Sequence, residues 1–234
     1  MTLFYAPDIS KTPFLPEEES SHCCRVLRLQ QGDNVHIIDG CGGFYLAEIL
    51  DSHPKHTHVK LLSADHAFEQ RPYRLHLAIA PTKSNERMEW LVEKAVEIGI
   101  DCITPLLCAR SERRVIKTER LEKIAVAACK QSLKACLPQI EPLTPFNRFI
   151  AQPAANRHFI AHCYTSEKPL FSVICPSCEA IVVMIGPEGD FSEEEVRLAM
   201  MQGVQSISLG NSRLRTETAG IVACHTVALI NGWA

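Results

Sequence analysis

AIVVMIGPEGDFSEEE (Ala180–Glu195) is the stretch on which the reading of this chain turns. Ala180–Ile185 is a continuous apolar run of strand length, the pattern of a strand buried on both faces. Two glycines then break the run. Ser192, with Glu195 three residues on, forms a capping box: the serine accepts from the helix backbone and the glutamate reaches back to the cap. Gly203 ends that helix, and Val204–Leu209 is the next strand. A buried strand that passes through a glycine loop into a capped helix and on to another strand is the repeating step of a parallel α/β fold.

Upstream, the same rhythm holds. Leu75–Ala80 is an apolar strand, and Ser84 or Asn85 caps a helix. That helix sets Met88, Leu91, Val92, Ala95 and Val96 on one face and stops at Gly99. Ile103–Leu107 is a strand, Thr118 starts a helix that runs to about Ala135, and Arg157–His162 is a further strand. The last helix, about Glu217–Trp233, is apolar on nearly all sides and is predicted to be buried. Residues 71–234 therefore read as an α/β domain with a mostly parallel sheet.

The first 70 residues read differently. Leu3–Tyr5, Asn34–Asp39, Phe44–Ser52 and Thr57–Leu62 are short strands joined by glycine-containing turns, with a short helix from Pro16 to about Val26. This predicts a small β-barrel over residues 1–70, with Ser63–Pro72 as the linker.

Bulk composition narrows the classes. The chain has 234 residues, 46% hydrophobic and 22% charged, which is ordinary for a folded globular protein. A formal net charge of -3 gives no global basic field. Charge is unevenly spread: residues 110–134 carry 8 basic against 3 acidic side chains, the local patch that an RNA surface needs or that a solvated helix face carries. The N-terminus, MTLFYAPDIS, has neither the basic nor the long apolar region of an export signal, so a cytoplasmic protein is expected. No apolar run reaches bilayer length. The 11 cysteines then read as small buried hydrophobes in a reducing compartment. Cys175 and Cys178 have CxxC spacing without a second ligand pair, and the HPKHTH turn (His53–His58) reads as solvated histidines, so no metal is expected.

In open α/β sheets ligands sit beyond the carboxyl ends of the strands. Two such ends carry unusual loops here, GPEGDF (Gly186–Phe191) and LGNSRLRT (Leu209–Thr216). A glycine loop entering a helix normally suggests phosphate. Glu188, Asp190, Glu193, Glu194 and Glu195 would repel one, and neither GxGxxG nor a P-loop lysine is present. A neutral or cationic ligand held by backbone groups fits better, and Gly189→Val is expected to abolish its binding through a Cβ clash.

GPEGDFSEEE together with SLGNSRLRTETAG (Ser208–Gly220) is similar to the two signature stretches of the 16S rRNA uracil-N3 methyltransferase (RsmE) family of the SPOUT superfamily. Further matching stretches are HCCRVLRLQQGDNVHIIDGCGGFYLAEI (His22–Ile49), KSNERMEWLVEKAVEIGI (Lys83–Ile100), the Glu112–Arg113 pair and AACKQS (Ala127–Ser132). The resemblance implies an N-terminal PUA-like barrel, a C-terminal α/β domain with a trefoil knot, a homodimer, S-adenosylmethionine as cofactor and 16S rRNA of the small subunit as partner. It implies cofactor contacts at Ile185, Gly186, Glu188, Gly189, Leu209, Gly210, Leu214, Arg215 and Thr216. Thr2 stands where the family often has arginine, GPEGD replaces the commoner GPEGG, and Lys130 sits where an acid is frequent.

Methylating uracil N3 needs alignment of the nitrogen with the methyl carbon and loss of the N3 proton. Arg215 is the candidate to stabilise charge on the neighbouring carbonyls, or else a helix-start ion pair. Glu217 reads either as proton acceptor or as an acid stabilising the first turn of its helix. RNA-contact candidates are Arg25, Arg28, Arg113, Arg114 and Lys134. Removing Arg113 and Arg114 together is expected to lower the salt dependence of RNA binding by about 1.4 to 1.8 log units per log unit of salt. Two other readings stand beside this one: a SPOUT enzyme acting on a ribose 2′-oxygen or a tRNA base, and a non-catalytic RNA-binding assembly factor.

Overall fold

The structure, a computed structural model, describes residues 2–152, 157–164 and 167–233. It divides into two compact units, Met1–Gln70 with Val126–Leu137, and Arg71–Ala125 with Pro138–Ala234.

The first unit holds β1 (Leu3–Tyr5), α1 (Glu17–Ser21), β2 (Asn34–Ile38), β3 (Phe44–Asp51) and β4 (His58–Asp65). The strands form one sheet in the order β1-β2-β3-β4, with β1 parallel to β2 and the others antiparallel. Period-2 alternation sends Val35, Ile37, Tyr45, Ala47 and Ile49 inward, where they meet Phe4, Leu15, Cys23 and Val59. The β2–β3 turn is built by one side chain. Asp39 accepts the Cys41 and Gly43 amides at 2.7 and 2.9 Å and the Tyr45 hydroxyl at 3.0 Å. Helix α1 passes at His22 into a wider π-helical turn that ends at Val26, so the single helix expected from Pro16 to Val26 is two kinds of turn. Residues 126–137, which sequence places with the second domain, pack here: Lys130 Nζ lies 2.6 and 2.8 Å from the Glu19 carboxylate oxygens, Lys134 pairs with Glu69 at 2.9 Å, and Leu137 N–H donates to Gly40.

The second unit contains β5 (Arg74–Ile79), α2 (Asn85–Ile98), β6 (Cys102–Leu107), the start of α3 (Thr118–Ser132), β7 (Gln139–Ile140), β8 (Thr144–Pro145), α4 (Phe146–Ile150), β9 (Arg157–Ala161), α5 (Phe171–Ile174), β10 (Ala180–Ile185), α6 (Glu193–Met201), β11 (Gln205–Ile207) and α7 (Thr216–Ile230). All its strand pairings are parallel, in the order β11-β9-β10-β5-β6-β7, with β8 also on β6. One face of the sheet is covered by α4 and α6, whose Phe146, Phe149, Val196 and Ala199 share a core with Ala78, Ile160, Val182 and Met184. On α2 the five residues at helical spacing are the buried ones; each large side chain among them contributes about 1.5–3 kcal/mol by burial. Helix α7 comes so close that a Cβ on Gly220 would lie 2.8 Å from Leu91 Cδ1 and 3.0 Å from Ile79 Cδ1.

That close approach corrects the expectation for α7. Its buried face uses small residues, Gly220, Ala223, Cys224 and Ala228, with Val227. The larger apolar side chains lie off that face: Ile221 and Val222 are half-buried and Leu229 is 60% exposed. The helix is therefore buried on one side. Among the described residues, no helix is long and apolar enough to cross a membrane.

Candidate functional site

Strands β10, β9 and β11 are neighbours and end level: Ile185 pairs with Ala161, and Ala161 with Ile207. Three loops leave this common edge and surround a cavity of about 730 Å³. That volume is in the range of small-molecule and cofactor sites.

The loop after β10 is heavily fixed. Arg110 Nη1 donates to the carbonyls of Gly189 and Phe191 at 2.9 and 3.3 Å, Tyr164 Oη donates to Phe191 O at 2.8 Å, and Glu188 accepts the Lys83 amide at 3.0 Å. From the start of α7, Thr216 Oγ1 donates to Gly186 O at 3.2 Å. Of the loop's two glycines, Gly186 has the less room: a Cβ there would sit 3.0 Å from both the ring and the amide nitrogen of Phe191. Gly189 is different. Its Cβ would meet Arg110 at 3.4 Å or more, ordinary contact, so the Cβ clash expected at Gly189 is not built into the loop.

The loop after β11 runs from Ser208 to Arg215, with Gly210 at a φ of 126° that only glycine adopts easily. Arg215 is exposed and occupies the N-cap position of α7 without a side-chain capping bond. The third loop follows β9 and contributes His162, Cys163 and Lys168 to the lining. Lys168 Nζ donates to the carbonyls of His162 and Tyr164 at 2.7 and 2.6 Å. Burial, and then the Lys168 charge, lowers the His162 pKa, which keeps the ring neutral near neutral pH.

All nine expected cofactor contacts line this cavity: Ile185, Gly186, Glu188 and Gly189 from one loop, and Leu209, Gly210, Leu214, Arg215 and Thr216 from the other. The sequence reading missed the β9 loop, because only the strand order reveals that Arg157–Ala161 lies between the other two strands. Of the five carboxylates invoked against phosphate, only Glu188 and Asp190 line the cavity. Glu195 is turned away, closing the capping box with Ser192 and accepting the Ala109 amide at 2.8 Å. The box ties up the Ser192 and Glu195 amides, and Lys168, Arg213 and Arg215 line the cavity beside the two remaining carboxylates, so repulsion by five acids is not the charge balance of this site. Apolar side chains of Ile185, Leu209 and Leu214, backbone groups of the glycine loops and two carboxylates suit a nucleoside carrying a positively charged sulfur.

Glu217 is not among the lining residues. It is buried, one carboxylate oxygen lies 3.7 Å from Arg87 Nε, and the other has no hydrogen-bond partner.

The RNA-contact candidates are scattered in environment. Arg25 and Arg28 are exposed on the first unit, and Lys134 there is ion-paired with Glu69. In the second unit Arg113 donates to Asn85 Oδ1 and Lys83 O at the start of α2, so it is committed to its own chain. Arg120 pairs with Glu89. Among the described residues, no ion pair involves Arg114, Lys117 or Lys123, each of which is exposed. Cys175 is buried, its thiol pushed up to about 11 by burial, while Cys178 is exposed.

A parallel α/β unit whose glycine loops enclose a cavity of this chemistry is the arrangement of an enzyme that binds a nucleoside-type cofactor at the carboxyl ends of its strands. Comparison with known proteins agrees. An RNA methyltransferase domain family matches residues 69–228, and an RNA methyltransferase PUA domain family matches residues 15–62. The ribosomal RNA small subunit methyltransferase E of Synechocystis sp. is 31% identical over 94% of this chain and 75% of its own length. A crystal structure of a probable rRNA-methyltransferase from Porphyromonas gingivalis superposes with a TM-score of 0.92 at 43% identity, covering 99% of both chains. The ribosomal RNA small subunit methyltransferase E of Neisseria gonorrhoeae, bound to S-adenosyl methionine, gives a TM-score of 0.87 at 27% identity over 99% of this chain and 98% of that one. The chain belongs to the ribosomal RNA small subunit methyltransferase E family, with an RNA methyltransferase domain and a PUA domain.

Proposed function

We propose that this protein methylates N3 of a uridine in 16S rRNA of the small ribosomal subunit, with S-adenosylmethionine as the donor. Family membership gives S-adenosylmethionine-dependent methylation of small-subunit rRNA; the uridine N3 position is the proposal's own step. The observation that carries it is the cavity at the level ends of β9, β10 and β11, where all nine motif residues converge.

S-adenosylmethionine supplies a methyl group on a positively charged sulfur, a strong electrophile. The chain's own part is positioning and charge. Ile185, Leu209 and Leu214 offer apolar walls, and the backbone of the loop after β10, fixed by Arg110 and Tyr164, presents a preformed set of donors and acceptors. Arg215, exposed at the rim, is placed to stabilise negative charge building on the uracil carbonyls as the N3 proton leaves. Glu217, buried outside the cavity lining, supports α7 from inside through Arg87, which favours the helix-stabilising reading of this acid over the proton-accepting one.

The finer architecture belongs to the same proposal: a PUA-like barrel over residues 1–70, a SPOUT domain over 71–234 whose chain forms a trefoil knot, and a homodimer working in the cytoplasm. The half-covered apolar side of α7, with Leu229 60% exposed, supports the dimer. Arg114, Lys117 and Lys123 join Arg25 and Arg28 as the cations for RNA phosphates. Mass spectrometry of 16S rRNA nucleosides from a strain lacking the gene tests the reaction. Loss of 3-methyluridine, restored by the purified protein and S-adenosylmethionine on small subunits, is expected. Loss of a ribose 2′-O-methyl instead, or of no methyl at all, would refute the N3 assignment.

A further inference from the structure

Asp190 is the last residue before Phe191 in the loop after β10, and its φ is 66°, in the left-handed region that aspartate tolerates better than most residues. Its carboxylate is spent on two backbone amides. Oδ1 accepts from Phe191 N–H at 2.8 Å, and Oδ2 accepts from Cys163 N–H at 2.7 Å. Hydrogen bonds to an ionised carboxylate are roughly twice as strong as neutral ones. Cys163 belongs to the wall that follows β9. That wall is also tied to itself, through Lys168 on the His162 and Tyr164 carbonyls, and to β11 and its end, through His162 Nε2 at 3.1 Å from Ser206 Oγ and the backbone of Ser208 on Pro169 and Phe171, each at 2.9 Å. Among the described residues, its side-chain links to the glycine loop are the Asp190–Cys163 bond and the Tyr164 hydroxyl on Phe191 O. Only the first carries a charge.

We infer that Asp190 is a positioning residue: its carboxylate latches the wall after β9 to the loop after β10, and so holds the cofactor cavity open at its binding width. The inference rests on reading this cavity as the S-adenosylmethionine site. A latch that is closed in the free protein removes ordering cost from ligand binding. Asp190 also lines the cavity, so any weakening of the latch is felt where the ligand lies.

The test separates the side chain from the backbone. Asp190→Gly removes the latch and relieves the left-handed φ; Asp190→Ala removes the latch and keeps the strain; Asp190→Asn keeps one oxygen acceptor. Binding of S-adenosylhomocysteine is measured by calorimetry, alongside hydrogen exchange at the Cys163 amide and the melting temperature. Asp190→Gly and Asp190→Ala are expected to weaken binding alike, by about tenfold, the size of one lost charged hydrogen bond, with Cys163 exchange accelerated and Asp190→Asn falling between. Should Asp190→Gly not fold, Asp190→Asn carries the test through the same amide. Wild-type affinity in Asp190→Gly with a loss confined to Asp190→Ala would overturn the latch and leave only backbone conformation. So would weakened binding with Cys163 exchange unchanged. Failure of the wild-type protein to bind would instead remove the reading of the cavity, and the latch with it.

Discussion

The loops after β10 and β11 face the same cavity, yet they are held in opposite ways. The first is fixed at nearly every residue: Gly186 by Thr216, Glu188 by Lys83, Gly189 by Arg110, Asp190 by Cys163 and Phe191 by Arg110 and Tyr164. In the second, among the described residues, the side-chain bonding from 208 to 215 is limited to Ser208 Oγ with Gly210, and residues 210–213 are exposed. A site that joins a rigid half to a loose half binds on the first and adapts with the second. The division of labour expected is affinity from the β10 loop and rate from the β11 loop.

The largest effect is expected at Gly186. A valine there places Cβ 3.0 Å from two atoms of Phe191 and 3.2 Å from the Asp190 carbonyl carbon. Because Arg110 and Tyr164 pin that side of the turn, the loop has no slack to absorb it. Overpacking of this kind costs about 1–3 kcal/mol, and a distorted rigid loop should lose about a hundredfold in S-adenosylhomocysteine affinity. Calorimetry measures it; affinity within threefold of wild type would show that the loop is not the rigid half.

Arg215→Ala should do the reverse. Because Arg215 makes no capping bond to α7, its truncation leaves the helix start intact. Loss of one electrostatic stabiliser of a transition state typically lowers kcat by about a hundredfold. Cofactor affinity should change by no more than about threefold, since the exposed guanidinium is worth little in the ground state. Single-turnover methylation of small subunits, paired with calorimetry, reads both. Equal losses in affinity and rate would break the comparison between the loops.

The elements that flank the rigid half were legible in sequence, and the loose half only partly so. The run Ala180–Ile185, the capping box at Ser192 and Glu195, and the five-residue face of α2 are local patterns, and each appears at its expected place. What fixes the β10 loop was not legible. Arg110, Tyr164 and Cys163 reach it from 27 to 81 residues away, through side-chain and backbone contacts that no spacing encodes. The short β7, β8, α4 and α5 escaped for another reason: two to five residues carry too little periodicity to stand out. The return of residues 126–137 to the first unit begins inside one continuous helix, Thr118–Ser132, whose apolar pattern does not say which core each half serves.

The smallest effect is expected at Gly189, and it sharpens the comparison within one loop. Gly186 and Gly189 look equivalent in the sequence GPEGDF, and both line the cavity. Their surroundings differ. Neither has a backbone angle that demands glycine, so space alone decides. At Gly189 the nearest heavy atoms to an added Cβ are Arg110 Cβ at 3.4 Å and Arg110 Cδ at 3.6 Å, the distances of normal packing against a side chain. A methyl group there removes no hydrogen bond, because the carbonyl that Arg110 holds stays in place. It also reduces the freedom of the unfolded chain, which favours folding by about 0.4–1 kcal/mol where the native backbone accepts alanine. Gly189→Ala should therefore bind S-adenosylhomocysteine within about twofold of wild type and melt at the same temperature or slightly higher. A loss as large as that of Gly186→Val would mean that the ligand itself, rather than the protein, occupies the space beside Gly189.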